Sequence, residues 1–273
     1  MAYSKDAGNI KRKVTTTSQT PRLVWAVCWT EGHNMFAVTV CILGLLHMSS
    51  SSSSCSWVSV CTDLTSVQQE IVDVHNAFRS AVDPPASNML KMNWSDAVAQ
   101  SAQDWIDQCN MTHGPPSSRL IDGYEMGENL FKASGLYSWT EVVNAWHSEV
   151  NNYQYPSGSV NGQLTGHYTQ VVWYSSYEVG CAMTQCGSSY FYGCHYYRAG
   201  NFRGVSPYSL GSPCESCPDH CQDHLCTNPC PYINKYMNCD AMKDQFSCAN
   251  PSVSEGCPAS CLCEDKIIPI ARK

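Results

Sequence analysis

Charged side chains are scarce in this sequence. Asp, Glu, Lys and Arg make up 14% of its 273 residues, against roughly a quarter in an ordinary globular domain. Their balance is −7 at neutral pH. That excludes a protein whose task is to grip phosphate backbones, so no nucleic-acid partner is expected. Long apolar runs are missing as well. The strongest, Phe36 to Leu46 (FAVTVCILGLL), has 11 residues, well short of the ~20 that cross a bilayer. The chain therefore does not read as an integral membrane protein. It has no glycine-rich phosphate loop, no H-E-x-x-H helix and no alternation of strand and helix. Nucleotide chemistry, a zincin-type protease and a doubly wound sheet are unsupported.

Cysteine, by contrast, is abundant. There are 18, ten of them from Cys214 to Cys263. A reducing cytosol would keep such a cluster as thiols, so the expected localisation is secreted and extracellular. Zinc is the rival explanation for dense cysteines, but a repeated C-x-x-C pair is missing. The apolar run at 36–46 fits the core of a signal peptide, with small residues for cleavage near Ser54 and Ser56. Thirty-four residues precede Met35, too many for a usual basic n-region, so translation from Met35 fits better. Cys28, Cys41 and Cys55 would then be absent from the mature protein, and the state of Cys61 is left open.

Downstream, Ser66 and Gln69 make a capping-box pattern, followed by Val67, Ile71, Val74 and Phe78 at helical spacing. A second helix is expected near Asp96 to Cys109, with Val98, Ala102, Trp105, Ile106 and Cys109 on one face. A third opens at Ser138, with Glu141 as its box partner, and carries Trp146 and Glu149. Thr169–Ser175, Glu178–Thr184 and Ser189–Tyr197 read as short antiparallel strands. Helices followed by strands predict an α+β domain over 62–208. A disulfide-stapled connector follows over 209–229, then a small cysteine-rich domain over 230–263 and a tail over 264–273. The connector and small domain are too poor in apolar residues to stand without their bridges. The sequons Asn93-Trp94-Ser95 and Asn110-Met111-Thr112 make Asn93 and Asn110 candidate glycan sites.

Four residues could build a polar site: His75 on the first helix, Glu128 in Gly127-Glu128-Asn129, Glu149 on the third helix, and His167 at the start of a strand. Two imidazoles and two carboxylates suit a divalent ion. Spacing alone leaves open the alternative that each histidine is a satisfied structural residue. Four stretches shift that balance. His75 to Arg79, Gly127 to Leu130, Gly166 to Trp173 and Phe191 to Phe202 (FYGCHYYRAGNF) resemble the signature motifs of the CAP superfamily. The ten-cysteine array resembles the hinge and cysteine-rich domain of the cysteine-rich secretory proteins. The resemblance covers about residues 64 to 263.

It implies an α-β-α sandwich whose cleft is lined by His75, Glu128, Glu149 and His167, with His75 and His167 as ligands for a non-catalytic Zn2+. It also implies the bridges Cys109–Cys186, Cys181–Cys194, Cys214–Cys221, Cys217–Cys226, Cys230–Cys263, Cys239–Cys257 and Cys248–Cys261. Met126 and Tyr197 stand where relatives carry two further cysteines bonded to each other. Three functional readings follow. The first is a secreted regulator of an ion channel, a cell-surface receptor or calcium signalling, in a reproductive setting such as sperm–egg contact. Its toxin-like domain offers Lys235 with Tyr236 and Lys243 with Phe246, though five bases and five acids over 230–273 make it no cationic plug. The second is a sterol- or lipid-binding, or cell-surface-binding, factor in host defence, acting through the CAP domain. The third is a zinc-dependent hydrolase, weakened by the want of a nucleophile in a catalytic motif.

Overall fold

The computed structural model describes residues 57–270. The signal-segment reading and the Met35 start fall on residues 1–56, outside the described residues. Helix α1 spans Thr65–Ser80, and its buried residues Val67, Ile71, His75 and Arg79 recur every four positions along one face. Leu64 is its N-cap, with no side-chain bond. The expected Ser66–Gln69 box does not form: the helix begins one residue before Ser66, and the Gln69 amide donates to Asp73 instead. Strand β1 is Asn93–Trp94, and α2 runs Asp96–Ile106, ending before Cys109.

A hairpin of β2 (Leu120–Ile121) and β3 (Tyr124–Glu125) leads into β4 (Gly127–Ala133). Helix α3 (Trp139–His147) opens on the Ser138–Glu141 capping box. A 3-10 turn over Ser148–Asn152 follows, so Glu149 lies beyond α3 rather than on it. After the small hairpin β5 (Tyr153–Gln154) and β6 (Gly158–Ser159) comes α4, Gly166–Val171. The segment expected as a strand from Thr169 is therefore helical at its start, and His167 sits in a helix. Strands β7 (Glu178–Cys186) and β8 (Ser189–Tyr197) complete the sheet.

Sheet order is β1-β7-β8-β4, with β7–β8 and β8–β4 antiparallel and the short β1 parallel to β7. On one face α2 packs so closely that a Cβ on Gly180 would lie 2.0 Å from the Ala99 nitrogen. Ala102 and Ile106 meet Ala182 and Phe191 there. On the other face Val67 and Ile71 of α1, Trp139 and Trp146 of α3 and Tyr168 of α4 cover Tyr192, Cys194 and Tyr196. This is an α-β-α sandwich.

The seven bridges are Cys109–Cys186, Cys181–Cys194, Cys214–Cys221, Cys217–Cys226, Cys230–Cys263, Cys239–Cys257 and Cys248–Cys261. Cys61 is disulfide-bonded too. Met126 and Tyr197 pack in one apolar cluster with Val98. The connector carries the hairpin β9 (Cys221–Gln222) and β10 (Leu225–Cys226), and the C-terminal domain has helices α5 (Cys239–Phe246), α6 (Pro251–Gly256) and α7 (Pro258–Leu262). Among the described residues, no helix is long and apolar enough to cross a membrane.

Candidate functional site

Two carboxylates each orient one imidazole. Glu128, on the edge strand β4, has a side chain only 2% exposed. Its Oε1 accepts from His113 Nδ1 at 2.7 Å and from the Gly114 amide at 3.1 Å. Its Oε2 lies 3.4 Å from His195 Nε2, and the Arg119 guanidinium is 3.8 Å from Oε1. Burial pushes the Glu128 carboxyl upward. The bonds from His113 and His195 and the charges of His195 and Arg119 outweigh it and hold the group down at about 2. His113 sits in the loop after α2 with its side chain 61% exposed. The Trp105 indole pins that loop by donating to the Thr112 carbonyl.

Glu149 orients the second imidazole. Its Oε1 accepts from His167 Nδ1 at 2.7 Å, and its Oε2 accepts from the His167 and Tyr168 amides at 2.8 and 3.2 Å. Those amides open α4, so one carboxylate caps the helix and sets the ring. The His167 ring stacks with Trp146 (6.4 Å between centroids) and with His113 (6.5 Å). Because carboxylates only accept, both Nδ1 atoms carry the proton, and in neutral rings both Nε2 atoms carry a lone pair. No hydrogen bond engages either Nε2 among the described residues. A carboxylate on one nitrogen and a bare second nitrogen is how metal-ligating histidines are held.

His75, expected as the partner of His167, lies elsewhere. It is fully buried; its Nδ1 bonds the Ile71 carbonyl at 2.7 Å and its Nε2 the Tyr196 hydroxyl at 3.0 Å. Neither nitrogen is available to an ion. The imidazoles that these carboxylates orient are His113, on Glu128, and His167, on Glu149. Arg79, four residues after His75, is also structural. Its guanidinium donates to the carbonyls of Leu90, Val171, Trp173, Tyr174 and Ser176. His195 was missed as well. In the neutral ring its Nδ1 accepts from the Ser101 hydroxyl at 3.1 Å. Ser101, His195 and Glu128 thus follow the donor order of a triad, with the imidazole buried between α2 and the sheet.

Three other places matter. Asn93 and Asn110 are both exposed. Cys214, Cys217 and Cys226 are the cysteine group close enough to suggest a metal, but all three are in disulfides. Beside α4 lies a cleft of about 360 Å³ with no charged residue in its lining, walled by Tyr153, Thr165, Thr169, Trp173, Phe202 and Pro207 among others.

Residues 72–196 match the family model described as CAP, cysteine-rich secretory protein family, and residues 214–268 match the one described as Crisp. Among solved structures, Na-ASP-1 is 30% identical at a TM-score of 0.52, over 59% of this chain and 47% of that one. The match thus spans about half of Na-ASP-1. NaASP2, in a crystal structure with Zn2+, is 28% identical at a TM-score of 0.51, over 60% of this chain and 96% of that one. BmVAL-1 is 28% identical at a TM-score of 0.52, over 60% and 95%.

Proposed function

The chain belongs to the cysteine-rich secretory protein family, a CAP domain followed by the family's cysteine-rich domain, and on that premise we propose that it is a secreted, non-enzymatic binding protein that modulates an ion channel or calcium signalling. The observation that carries this reading is the surface of the C-terminal domain. Tyr232, Tyr236, Met237, Phe246 and Leu262 are between 41% and 60% exposed, on a scaffold held by Cys230–Cys263, Cys239–Cys257 and Cys248–Cys261. Apolar and aromatic anchors on a stiff knot lose little conformational freedom on docking. The even charge balance favours docking beside a pore over plugging it. A reproductive setting rests on the family resemblance alone, and glycans at Asn93 and Asn110 on their sequons and exposure. The test is binding of fluorescently labelled intact protein to excitable cells. Saturable binding that a Tyr236→Ser, Phe246→Ser double variant loses supports the reading. Undiminished binding by that variant contradicts it.

The CAP-domain cleft adds a non-catalytic metal site. Zn2+ fits the Nε2 atoms of His113 and His167, with Glu128 and Glu149 behind them as orienting carboxylates. Bound there, zinc would act as a Lewis acid, but no hydroxyl or thiol side chain bonds either imidazole among the described residues, which supports a binding role. Calorimetric titration is the test. His113→Gln and His167→Gln should each weaken zinc by more than tenfold, and affinity should fall from neutral to mildly acidic pH as protons compete for the rings. A flat pH profile or unchanged affinity in both variants contradicts the site. A neutral lipid such as a sterol is the second reading for this domain, favoured by the uncharged cleft beside α4. Sterol binding lost in Phe202→Ser would support it.

A further inference from the structure

We propose that His75 is a positioning residue for this cleft: it fixes which way the Asn129 amide faces, and Asn129 in turn holds the backbone of His167. The proposal rests on the reading of His113 and His167 as the metal pair and deepens it.

The hydrogen-bond directions leave one arrangement. The Ile71 carbonyl only accepts, so the His75 Nδ1 at 2.7 Å carries the proton. In the neutral ring Nε2 is then an acceptor, and the Tyr196 hydroxyl at 3.0 Å must donate to it. The Tyr196 oxygen is left to accept, and it does so from Asn129 Nδ2 at 3.2 Å. The same Nδ2 donates its other hydrogen to the His167 carbonyl at 3.1 Å. His75, Tyr196 and Asn129 are all at least 99% buried, so no water can exchange into the chain and a mismatched contact has no cheap remedy. His75 thus acts on His167 from α1 through β8 and β4 without touching it. Glu149 holds the His167 amide and ring from one side, and Asn129 holds its carbonyl from the other.

The consequence of removing the acceptor at 75 follows from the same directions. The Tyr196 hydroxyl, with nothing to donate to, turns toward Asn129. The amide must flip to offer Oδ1, and that oxygen then faces the His167 carbonyl oxygen. Two acceptors meet, and α4 shifts away with its imidazole.

The test uses the full secreted protein and three variants. His75→Met fills the space without an acceptor. His75→Gln restores one through Oε1. Asn129→Leu removes the last link, the bond to the His167 carbonyl, and serves if His75→Met does not fold. Two quantities are read: zinc affinity by calorimetry, and the ring 15N shifts of His167 in metal-free protein. His75→Met or Asn129→Leu should weaken zinc by roughly ten- to a hundredfold, the usual cost of losing an outer-shell partner, and should move the His167 signals. His75→Gln should keep both near wild type. Folded His75→Met with unchanged affinity and unchanged His167 signals overturns the proposal. So does a His75→Gln variant as impaired as His75→Met, which would mark the residue as packing only. If wild-type protein takes up no zinc, the metal reading fails by itself, and the His167 spectrum of the variants still decides the positioning role.

Discussion

His75 and His113 differ in every property that decides what a histidine can do. One is fully buried with both nitrogens bonded; the other is largely exposed, with one nitrogen on a carboxylate. Burial pushes the His75 imidazole down to about 4 against the Ile71 bond that favours its charged form, and nearby Arg79 adds to the burial effect. Since the folded value lies below the ordinary one near 6.5, the unfolded chain binds the extra proton between those limits. Stability is then complete above about 6.5 and falls as pH drops toward 4, by roughly 3 kcal/mol for this group. Urea unfolding at pH 7.5 and 4.5 checks it: wild type should lose clearly more stability on acidification than His75→Gln, and equal losses would contradict the assignment. His147, also lowered by burial, acts in the same direction in both proteins and cancels in the difference. Part of this was legible. The helical spacing placed Val67 and Ile71 on the buried face of α1, but it left His75 open between core and cleft, and its burial with both nitrogens bonded is what assigns it to the core. His113 lies in a Gly/Pro loop with no period, and only the fold brings it to Glu128, fifteen residues on.

Helix α4 shows how an element can owe its existence to side chains from elsewhere. Six residues are too few to hold a helix by backbone bonds alone. Glu149 satisfies the amides at its start, and Arg79 gathers carbonyls at and beyond its end. Burial lowers the Arg79 guanidinium to about 9, so it remains charged at neutral pH. Its cation suits the negative end of a helix. Arg79→Met should therefore cost more than about 3 kcal/mol, because several buried carbonyls lose their donor at once. Denaturant unfolding reads this directly, and a loss under 1 kcal/mol would contradict the account. The β-branched and aromatic residues after Thr169 point to a strand on propensity alone, and these two distant groups override it. The Ser138–Glu141 box was readable because both partners are local. The strand β4 was not, because its register partners, from Tyr190 for Ala133 to Tyr196 for Gly127, lie far along the chain.

Across the whole molecule, the connector is joined to the CAP domain along its length. The Ser87 amide donates to the Ser209 carbonyl and the Ser216 amide to the Ser87 carbonyl, while Met89, Lys91 and Cys226 exchange two more backbone bonds. Further on, the Tyr174 hydroxyl donates to the Ile268 carbonyl. The Arg198 guanidinium lies over the Tyr124 and Tyr197 rings and donates to the Pro231 carbonyl. Composition marked 209–229 as a stapled connector, but the backbone pairing that fixes it to the segment 85–91 left no trace in the sequence. Calorimetry should accordingly show one unfolding transition for CAP and C-terminal domains together; two well-separated transitions would contradict this joint. The C-terminal surface is then carried in one orientation, as a docking face requires. The most direct test of that role is the potassium or calcium current of excitable cells before and after addition of the intact protein. The expected result is a reversible change that persists in a His113→Gln, His167→Gln variant and disappears in a Tyr236→Ser, Phe246→Ser variant. No change with wild-type protein, or an undiminished change with the second variant, would contradict it.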